Sequence, residues 1–301
     1  MALLIRRAVI IANPAARRGR RVAERARRIL IEHGIEVDLV YTERPGHAAD
    51  LAIDHAPKYD VVFALGGDGT VMEIAGALAG SEFRVGVLAG GTGNLLARAL
   101  GIPLRVRKAI PALLDGQEMR IDLGRLGSGR YFAVAAGVGI DAQMVAETPS
   151  WLKRRLGVTA YALMGARAAL RAVLRRQFFE ARLTVDGITH ERRAAAVMVA
   201  NFGAVLGNRI TLGPEIRMDD GLLDGCIFSP NTLGDALRIF WRLVRGRFEN
   251  DPCMLYCRGR HLHVETTPTL DVQADGELLG STPFDVTVAP FAARLLVPRH
   301  A

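Results

Sequence analysis

The chain has 301 residues, half of them apolar, and 39 Lys and Arg against 31 Asp and Glu give it a net charge of +8. This length and composition exclude a disordered chain and leave room for two domains or one large one. The longest run without a charge, 194–208, is broken by Asn201, Gly203 and Gly207 and falls short of the roughly 18 apolar residues that a membrane span requires.

The opening residues read as a first strand, Ala8 to Ala12, and not as a signal peptide. A helix follows from Arg17 to Gly34, with Val22, Ala26, Ile29 and Leu30 on one face. Glu36 to Tyr41 is a strand, Ala48 to His55 a helix, and Val61 to Leu65 a buried strand stopped by Gly66 and Gly67. Next come a helix from Thr70 to Ala79, a strand from Val85 to Leu88, and helices from Asn94 to Leu100 and Arg105 to Leu114. This βαβα rhythm predicts an α/β domain on a largely parallel sheet. Near Met119 the rhythm changes. Strand-like runs at Tyr131–Val138, Arg182–Val185, Ala194–Ala200, Gly225–Phe228, His261–Glu265, Leu270–Ala274 and Phe284–Val288 are separated by Gly, Asp and Pro turns. They predict a β-rich sandwich or barrel, interrupted by helical stretches around Leu152–Arg176 and Leu233–Arg247.

Two glycine loops carry the chemistry. Gly66-Gly67-Asp68-Gly69-Thr70 follows an apolar strand and precedes a helix, and Gly90-Gly91-Thr92-Gly93-Asn94 repeats the arrangement. Glycines let the backbone approach a phosphate, and the helix N-terminus offers it N–H groups and a positive dipole end. Asp68 alone would repel phosphate, but it suits a Mg²⁺ that offsets the repulsion. Both loops at the C-terminal ends of parallel strands would line one crevice. The usual P-loop and dinucleotide fingerprints are absent from the sequence.

Asn13-Pro14, the Gly66–Thr70 run, and Gly91-Thr92-Gly93-Asn94-Leu95-Leu96-Ala97-Arg98 resemble the diacylglycerol kinase catalytic domain, and in particular the bacterial soluble lipid kinases related to sphingosine kinases. Ile121-Asp122-Leu123-Gly124, the 219–224 run and Asp275-Gly276-Glu277 look like further signatures of that family in the expected order. The first glycine loop alone has close relatives in NAD kinases and phosphofructokinases. The resemblance implies a Rossmann-like α/β domain at 1–124, of the NAD kinase and phosphofructokinase type, completed by a returning strand at about 290–301, and a β-sandwich domain at 125–289.

It also implies roles. ATP would bind between the domains, contacting Asn13, Pro14, Ala15, Ala16, Arg17, Thr42, Gly66, Gly67, Asp68, Gly69, Thr70, Val71, Met72, Glu73, Gly91, Thr92, Gly93 and Asn94. Asp68 and Asp122 would organise a catalytic Mg²⁺. Asp220, with the carbonyls of Arg217 and Leu222, would hold a second, structural one. Glu277 would take the proton from the lipid hydroxyl, with Asp275 beside it. Where the family often has Ser-Gly after Asn-Pro-x, this chain has Ala16-Arg17-Arg18-Gly19, so that arginine would supply charge to the phosphates. Read without the resemblance, Asp275-Gly276-Glu277 is a plain hairpin turn, Asp219-Asp220-Gly221 another turn, and Asp224 a solvated acid.

Three cysteines, Cys226, Cys253 and Cys257, make no disulfide framework, which implies a cytoplasmic setting. Cys253, Cys257, His261 and His263 lack the Cys-x₂-Cys spacing of a zinc site. The positive charge is concentrated. Residues 151–177 hold seven bases and no acid, 236–247 hold four and no acid, and the rest is slightly acidic with 28 bases against 31 acids. Mixed with Trp151, Leu152, Leu156, Phe240, Trp241 and Leu243, these segments suggest basic helices on an anionic membrane surface, with peripheral association, and not a nucleic-acid coat. The expected activity is ATP- and Mg²⁺-dependent phosphorylation of the hydroxyl of diacylglycerol or a related membrane lipid. The alternatives are an NAD kinase-like enzyme and a catalytically silent, nucleotide-gated membrane-binding protein.

Overall fold

The computed structural model describes residues 4–15, 19–139, 178–205, 210–211, 213, 216–245 and 251–299. The chain divides into two units, Met1–Ile121 with Phe291–Ala301, and Asp122–Pro290.

In the first unit, strands β1 (Arg7–Ala12), β2 (Glu36–Tyr41), β3 (Val61–Gly66) and β4 (Arg84–Ala89) pair in parallel in the order β2-β1-β3-β4. β3 is buried along its whole length and β1 from its second residue on, as befits a parallel sheet covered on both faces. Ile10, Ile11, Phe63, Leu65 and Leu88 are its fully buried centre. Gly86 makes room for Phe63, because a Cβ there would lie 2.4 Å from the ring. Helix α1 (Gly19–Glu32) lays Ala23, Ala26 and Leu30 on the core. The other helices are α2 (His47–His55), α3 (Asp68–Ala77), α4 (Leu95–Ala99) and α5 (Val106–Leu114). The predicted helices and strands of this half are present, with ends shifted by up to two residues.

The second unit is antiparallel. After β5 (Gln117–Leu126) come β6 (Tyr131–Phe132), β7 (Ala135–Gly139), β8 (Phe179–Val185), β9 (Ile188–Ala194), β10 (Ala196–Ala200), β11 (Ala204–Val205), β12 (Ile210–Thr211) and β13 (Leu223–Phe228). Helix α6 (Leu233–Arg245) then leads to β14 (Met254–Gly259), β15 (His261–Thr267), β16 (Asp271–Ala274), β17 (Glu277–Ser281) and β18 (Phe284–Val297). One sheet runs β14-β13-β10-β7-β16-β17, and β9, β8, β15 and the start of β18 pair in a second. Phe179, Leu183, Leu262, Val264 and Val286 from one sheet share a core with Val138, Val197, Val199, Leu223 and Ile227 from the other, which makes a β-sandwich. The predicted helix around Leu152–Arg176 lies outside the described residues.

Several sequence readings change here. β5, β9, β11, β12, β14 and β17 are strands absent from the sequence reading, and Tyr131–Val138 divides into β6 and β7. β17 is an edge strand exposed along most of its length, so it lacks an apolar alternation. Phe284–Val288 and the returning strand expected at about 290–301 belong to one 14-residue strand, which ends at Val297. Its first part pairs with β15, and Arg294, Leu295 and Leu296 pair in parallel with Arg84, Val85 and Gly86 of β4. Pro290, and Phe291 at φ 51°, lie mid-strand and break the periodicity that would have shown it as continuous.

Candidate active site

In the first unit the register sets Ala12 opposite Leu65, and Gly66 opposite Ala89. The loops that follow β1, β3 and β4 are therefore neighbours at the C-terminal edge of the sheet. Gly90 and Gly91 both donate their amides to the Gly66 carbonyl, at 2.8 and 3.0 Å. A Cβ on Gly91 would lie 2.5 Å from the Gly67 Cα, and one on Gly66 would lie 2.6 Å from Thr70. The glycines thus let two backbone loops touch, which any side chain would prevent.

Polar side chains lock that arrangement. The Asp68 Oδ1 accepts the amides of Leu95 at 2.6 Å and Leu96 at 3.4 Å, tying the first loop to the start of α4. Asn94, at φ 48°, exchanges hydrogen bonds with the amide and carbonyl of Gly91, and Arg98 Nε donates to the Gly93 carbonyl. Asn13 Nδ2 donates to Thr70 Oγ1 at 3.4 Å, its Oδ1 accepts the Ala15 amide, and the Thr42 amide bonds the Ala12 carbonyl. Helix α3 starts at Gly67 with no side-chain cap. Its first-turn amides keep the anion-binding character of a helix N-terminus.

The structure therefore brings together Asn13, Thr42, Gly66–Thr70 and Gly91–Asn94. Two members differ from the sequence reading. Val71 is buried, so its side chain serves the core. Glu73 uses its carboxylate to accept the Gly46 and Ala48 amides at 3.0 and 3.2 Å, which fixes the loop before α2. Pro14 and Ala15 lie in the turn after β1, and Met72 in α3. Ala16 and Arg17 fall outside the described residues. Arg98 belongs to the sequence motif without a site role of its own there, and its bond to Gly93 shows its place.

The second unit holds the other candidates. Asp122 is fully buried; its Oδ2 accepts the Gly221 amide at 2.7 Å and its own amide bonds the Met218 carbonyl. It thereby holds the 218–221 turn, in which Gly221 takes φ 72°. Asp220 Oδ1 accepts the Leu222 amide, while its Oδ2 lies 3.8 Å from Arg258 Nη1. The Arg217 side chain turns back to Asp219. Asp224 corrects the expectation of a solvated acid: it is 5% exposed, and Arg258 Nε meets its Oδ1 at 3.1 Å. Its Oδ2 is buried without a hydrogen-bond partner, and burial pushes its carboxyl up to about 6 against the pull of Arg258.

Asp275 and Gly276, both at positive φ, form the two-residue turn between β16 and β17, so the hairpin reading holds. The turn has a second use, because the Asp275 carboxylate accepts the amides of Ala133, Val134 and Ala135 at 2.7, 2.9 and 3.1 Å. Asp275 is buried and fastens the hairpin, whereas Glu277 is half-exposed with Arg130 at 3.7 Å. Asn201 reads in the sequence only as a break in an apolar run. It is fully buried and donates to the Asp122 and Ala133 carbonyls, both at 2.8 Å, joining the two acidic settings. His261 and His263 both approach Asp285 Oδ1, at 3.3 and 2.8 Å, apart from the buried Cys253. Among the described residues, no group of three or more His, Cys, Asp or Glu is arranged to hold a metal.

Residues 7–126 match the family described as the diacylglycerol kinase catalytic domain, and 133–297 match the YegS C-terminal NAD kinase beta sandwich-like domain. A diacylglycerol kinase of Bacillus subtilis is 30% identical over 93% of this chain and 92% of its own. The chain belongs to the diacylglycerol kinase family. A diacylglycerol kinase of Staphylococcus aureus strain Newman is 29% identical over 92% of this chain and 88% of its own. The crystal structure of a diacylglycerol kinase from Bacillus anthracis superposes with TM-score 0.74 at 21% identity, covering 97% of both chains. A second from the same organism gives TM-score 0.80 at 24% identity over 97% of this chain and 95% of its own. At those identities the structural likeness establishes the fold. Membership of the family establishes the class of activity, a kinase.

The implied Mg²⁺ is tested by donor chemistry. Mg²⁺ takes hard oxygen ligands, commonly one or two carboxylates with the rest from phosphate and water. Asp68, at the mouth of a loop whose helix has no side-chain cap, fits that demand. Asp220 also offers carboxylate oxygen, with its Oδ1 accepting the Leu222 amide and its Oδ2 3.8 Å from Arg258 Nη1. Among the described helices none is long and apolar enough to cross a membrane.

Proposed function

We propose that this kinase transfers the γ-phosphoryl group of ATP to the hydroxyl of diacylglycerol or a related membrane lipid, with Mg²⁺ as cofactor. The single observation that carries the reading is the family match along nearly the whole chain, with the motif glycines packed against one another around an uncapped α3. Phosphoryl transfer asks the protein for positioning and charge neutralisation more than for covalent work. The touching loops supply a rigid backbone surface that the β- and γ-phosphates can approach closely. The α3 N-terminus supplies positive potential. Asp68 is the residue that would serve the catalytic cation, and Asp220 with the Arg217 and Leu222 carbonyls would serve a structural one. Mg²⁺, when bound, neutralises charge on the transferring phosphates.

On this reading the lipid oxygen attacks the γ-phosphorus, the bond to the ADP oxygen breaks, and Glu277 accepts the hydroxyl proton. The products are ADP and the phosphorylated lipid. Asp275, tied to three amides, keeps the Glu277 hairpin in place.

The test is to incubate the purified chain with γ-labelled ATP, Mg²⁺ and a total lipid extract, and then to identify the labelled lipid. Glu277→Gln and Asp68→Ala should each lower the labelling at least about a hundredfold. Full labelling by both variants would overturn the mechanism. In a parallel incubation with NAD in place of the extract, label passing to NAD while none passes to lipid would favour an NAD kinase.

A further inference from the structure

The acid-free stretch 236–247, most of which lies in helix α6, suggests arginines turned outward. The structure divides its faces differently. Thr232 and Asp235 cap its start reciprocally: Thr232 Oγ1 accepts the Asp235 amide, and Asp235 Oδ2 accepts the Thr232 amide. Ile239 packs inward on Cys253 and Met254, with Leu243 beside them. Arg238 and Arg242 converge on Asp251, at 2.9 and 3.0 Å, and the Asp251 side chain has no exposure. These two cations clamp the helix to the turn before β14.

The opposite face is apolar. Leu233, Leu237, Phe240 and Trp241 are 41, 54, 37 and 52% exposed and, spaced i, i+4, i+7, i+8, fall on one side of the helix. Four of the eleven exposed large hydrophobic residues described thus gather on one 13-residue helix, while the others are spread over separate elements. Such a stripe marks an interaction surface. Phe240 and Trp241 stand edge to face at 5.9 Å, and Arg245 lies over the Trp241 ring at 5.3 Å. The charge nearest the stripe is also sorted. Arg245, beside Trp241, is exposed, whereas Asp235 and Asp251 are 15 and 0% exposed and occupied by Arg238, so the outward charge is positive.

We propose that this face of α6 docks the kinase on a bilayer containing anionic lipid, with Leu237, Phe240 and Trp241 entering the boundary between headgroups and acyl chains. The occupant follows from the chemistry. Trp and Phe with an overlying Arg suit the headgroup boundary, where an apolar ring and a cation are both satisfied. Outward-facing positive charge complements anionic headgroups. Because Arg238 and Arg242 are engaged with Asp251, attachment depends on insertion more than on a polybasic patch. The proposal rests on the lipid-kinase reading only in that such an enzyme must reach a substrate held in the membrane.

The chain has two tryptophans, Trp151 and Trp241, so Trp151→Phe leaves Trp241 as the sole reporter. With vesicles of phosphatidylcholine and phosphatidylglycerol, its emission should shift to the blue and be quenched by brominated acyl chains. Leu237→Ser with Phe240→Ser should lower the floated fraction about tenfold or more, while leaving the rate on dissolved dioctanoylglycerol unchanged. Ile53→Ser, at an exposed apolar position of the first unit, should leave flotation unchanged. The proposal fails if the protein does not float, or if it floats with Trp241 emission unaltered. It also fails if the paired serine substitutions dissociate a dimer in the absence of lipid, since the stripe would then be a contact between copies. Insertion of Trp241 in a protein that phosphorylates no lipid would sustain the docking and refute the kinase reading instead.

Discussion

The Asp68 carboxylate accepts the Leu95 amide at 2.6 Å, so the aspartate of the first glycine loop anchors the helix that follows the second. One residue thereby serves both shape and charge, and two substitutions separate them. Asp68→Asn keeps a carbonyl oxygen for the Leu95 amide and removes the negative charge. It should lower kcat by about a hundredfold or more while moving Tm by no more than about 3 °C. Asp68→Ala removes the anchor as well and should lower Tm further. Thermal scans beside initial rates check this: a normal rate in Asp68→Asn would show that the residue's work is structural.

Gly91 offers a test of the loop contact itself. A Cβ there meets the Gly67 Cα at 2.5 Å, and neither backbone can give way as a flexible side chain would. Gly91→Ala should force the loops apart and weaken ATP binding at least about tenfold, since a shift near 1 Å is costly at a positioning site. Titration calorimetry with ATP measures it. Gly80→Ala in the same unit is the control. A Cβ at Gly80 meets nothing within 4 Å, so that substitution strains only a φ of 76° and should leave ATP binding unchanged. Equal affinity in the Gly91 and Gly80 variants would mean that the loop contact does not shape the nucleotide site.

Much of the first unit was legible because parallel strands are continuous apolar runs, and β1, β3 and β4 here end at a glycine or Asn-Pro stop. The glycine loops were legible for the same reason, as chemistry confined to consecutive residues. What stayed hidden depends on partners distant in sequence. Glu73 reads as part of a phosphate loop until its carboxylate is seen on the Gly46 and Ala48 amides. Arg238 and Arg242 sit in an acid-free stretch, and only the chain's return at Asp251 reveals where their charge is spent. Asp275 signalled a turn through its neighbour Gly276, but its three amide partners lie 140 to 142 residues earlier. β17 gave no alternation because an edge strand buries little on either face.

Asn201 did leave a signal, a lone amide at the end of the apolar strand β10. Its Nδ2 is the donor to two carbonyls, and the residue is 0% exposed. Asn201→Ala should cost about 2–4 kcal/mol, because two buried acceptors lose their partner. Asn201→Asp should be worse, since it replaces the donor with a third acceptor and adds a charge. Urea unfolding midpoints measure both; a loss under about 0.5 kcal/mol for Asn201→Ala would mean that the carbonyls find other donors.

Asp275 links the hairpin to pH. Burial pushes its carboxyl up from an ordinary 3.8 to about 6, against three amide donors that favour the charged form. The folded chain therefore holds this proton more tightly than the unfolded one. Between about pH 4 and 6 the folded state binds more protons, so the stability from this group falls as pH rises through that window and is level above it. At about 1.4 kcal/mol per unit the whole effect is bounded near 3 kcal/mol. Asp275→Asn cannot titrate, and it places an NH₂ group against amide donors, so it should be less stable than the parent at every pH. Its deficit should be smallest near neutrality and should widen as the pH drops from about 7 to about 4.5, where the parent gains its proton. Taking the difference between the two chains cancels the carboxylates they share. A deficit that stays constant would place the three amides level with burial, and one that shrinks towards acid would show that the amides win and hold the carboxyl below its ordinary value.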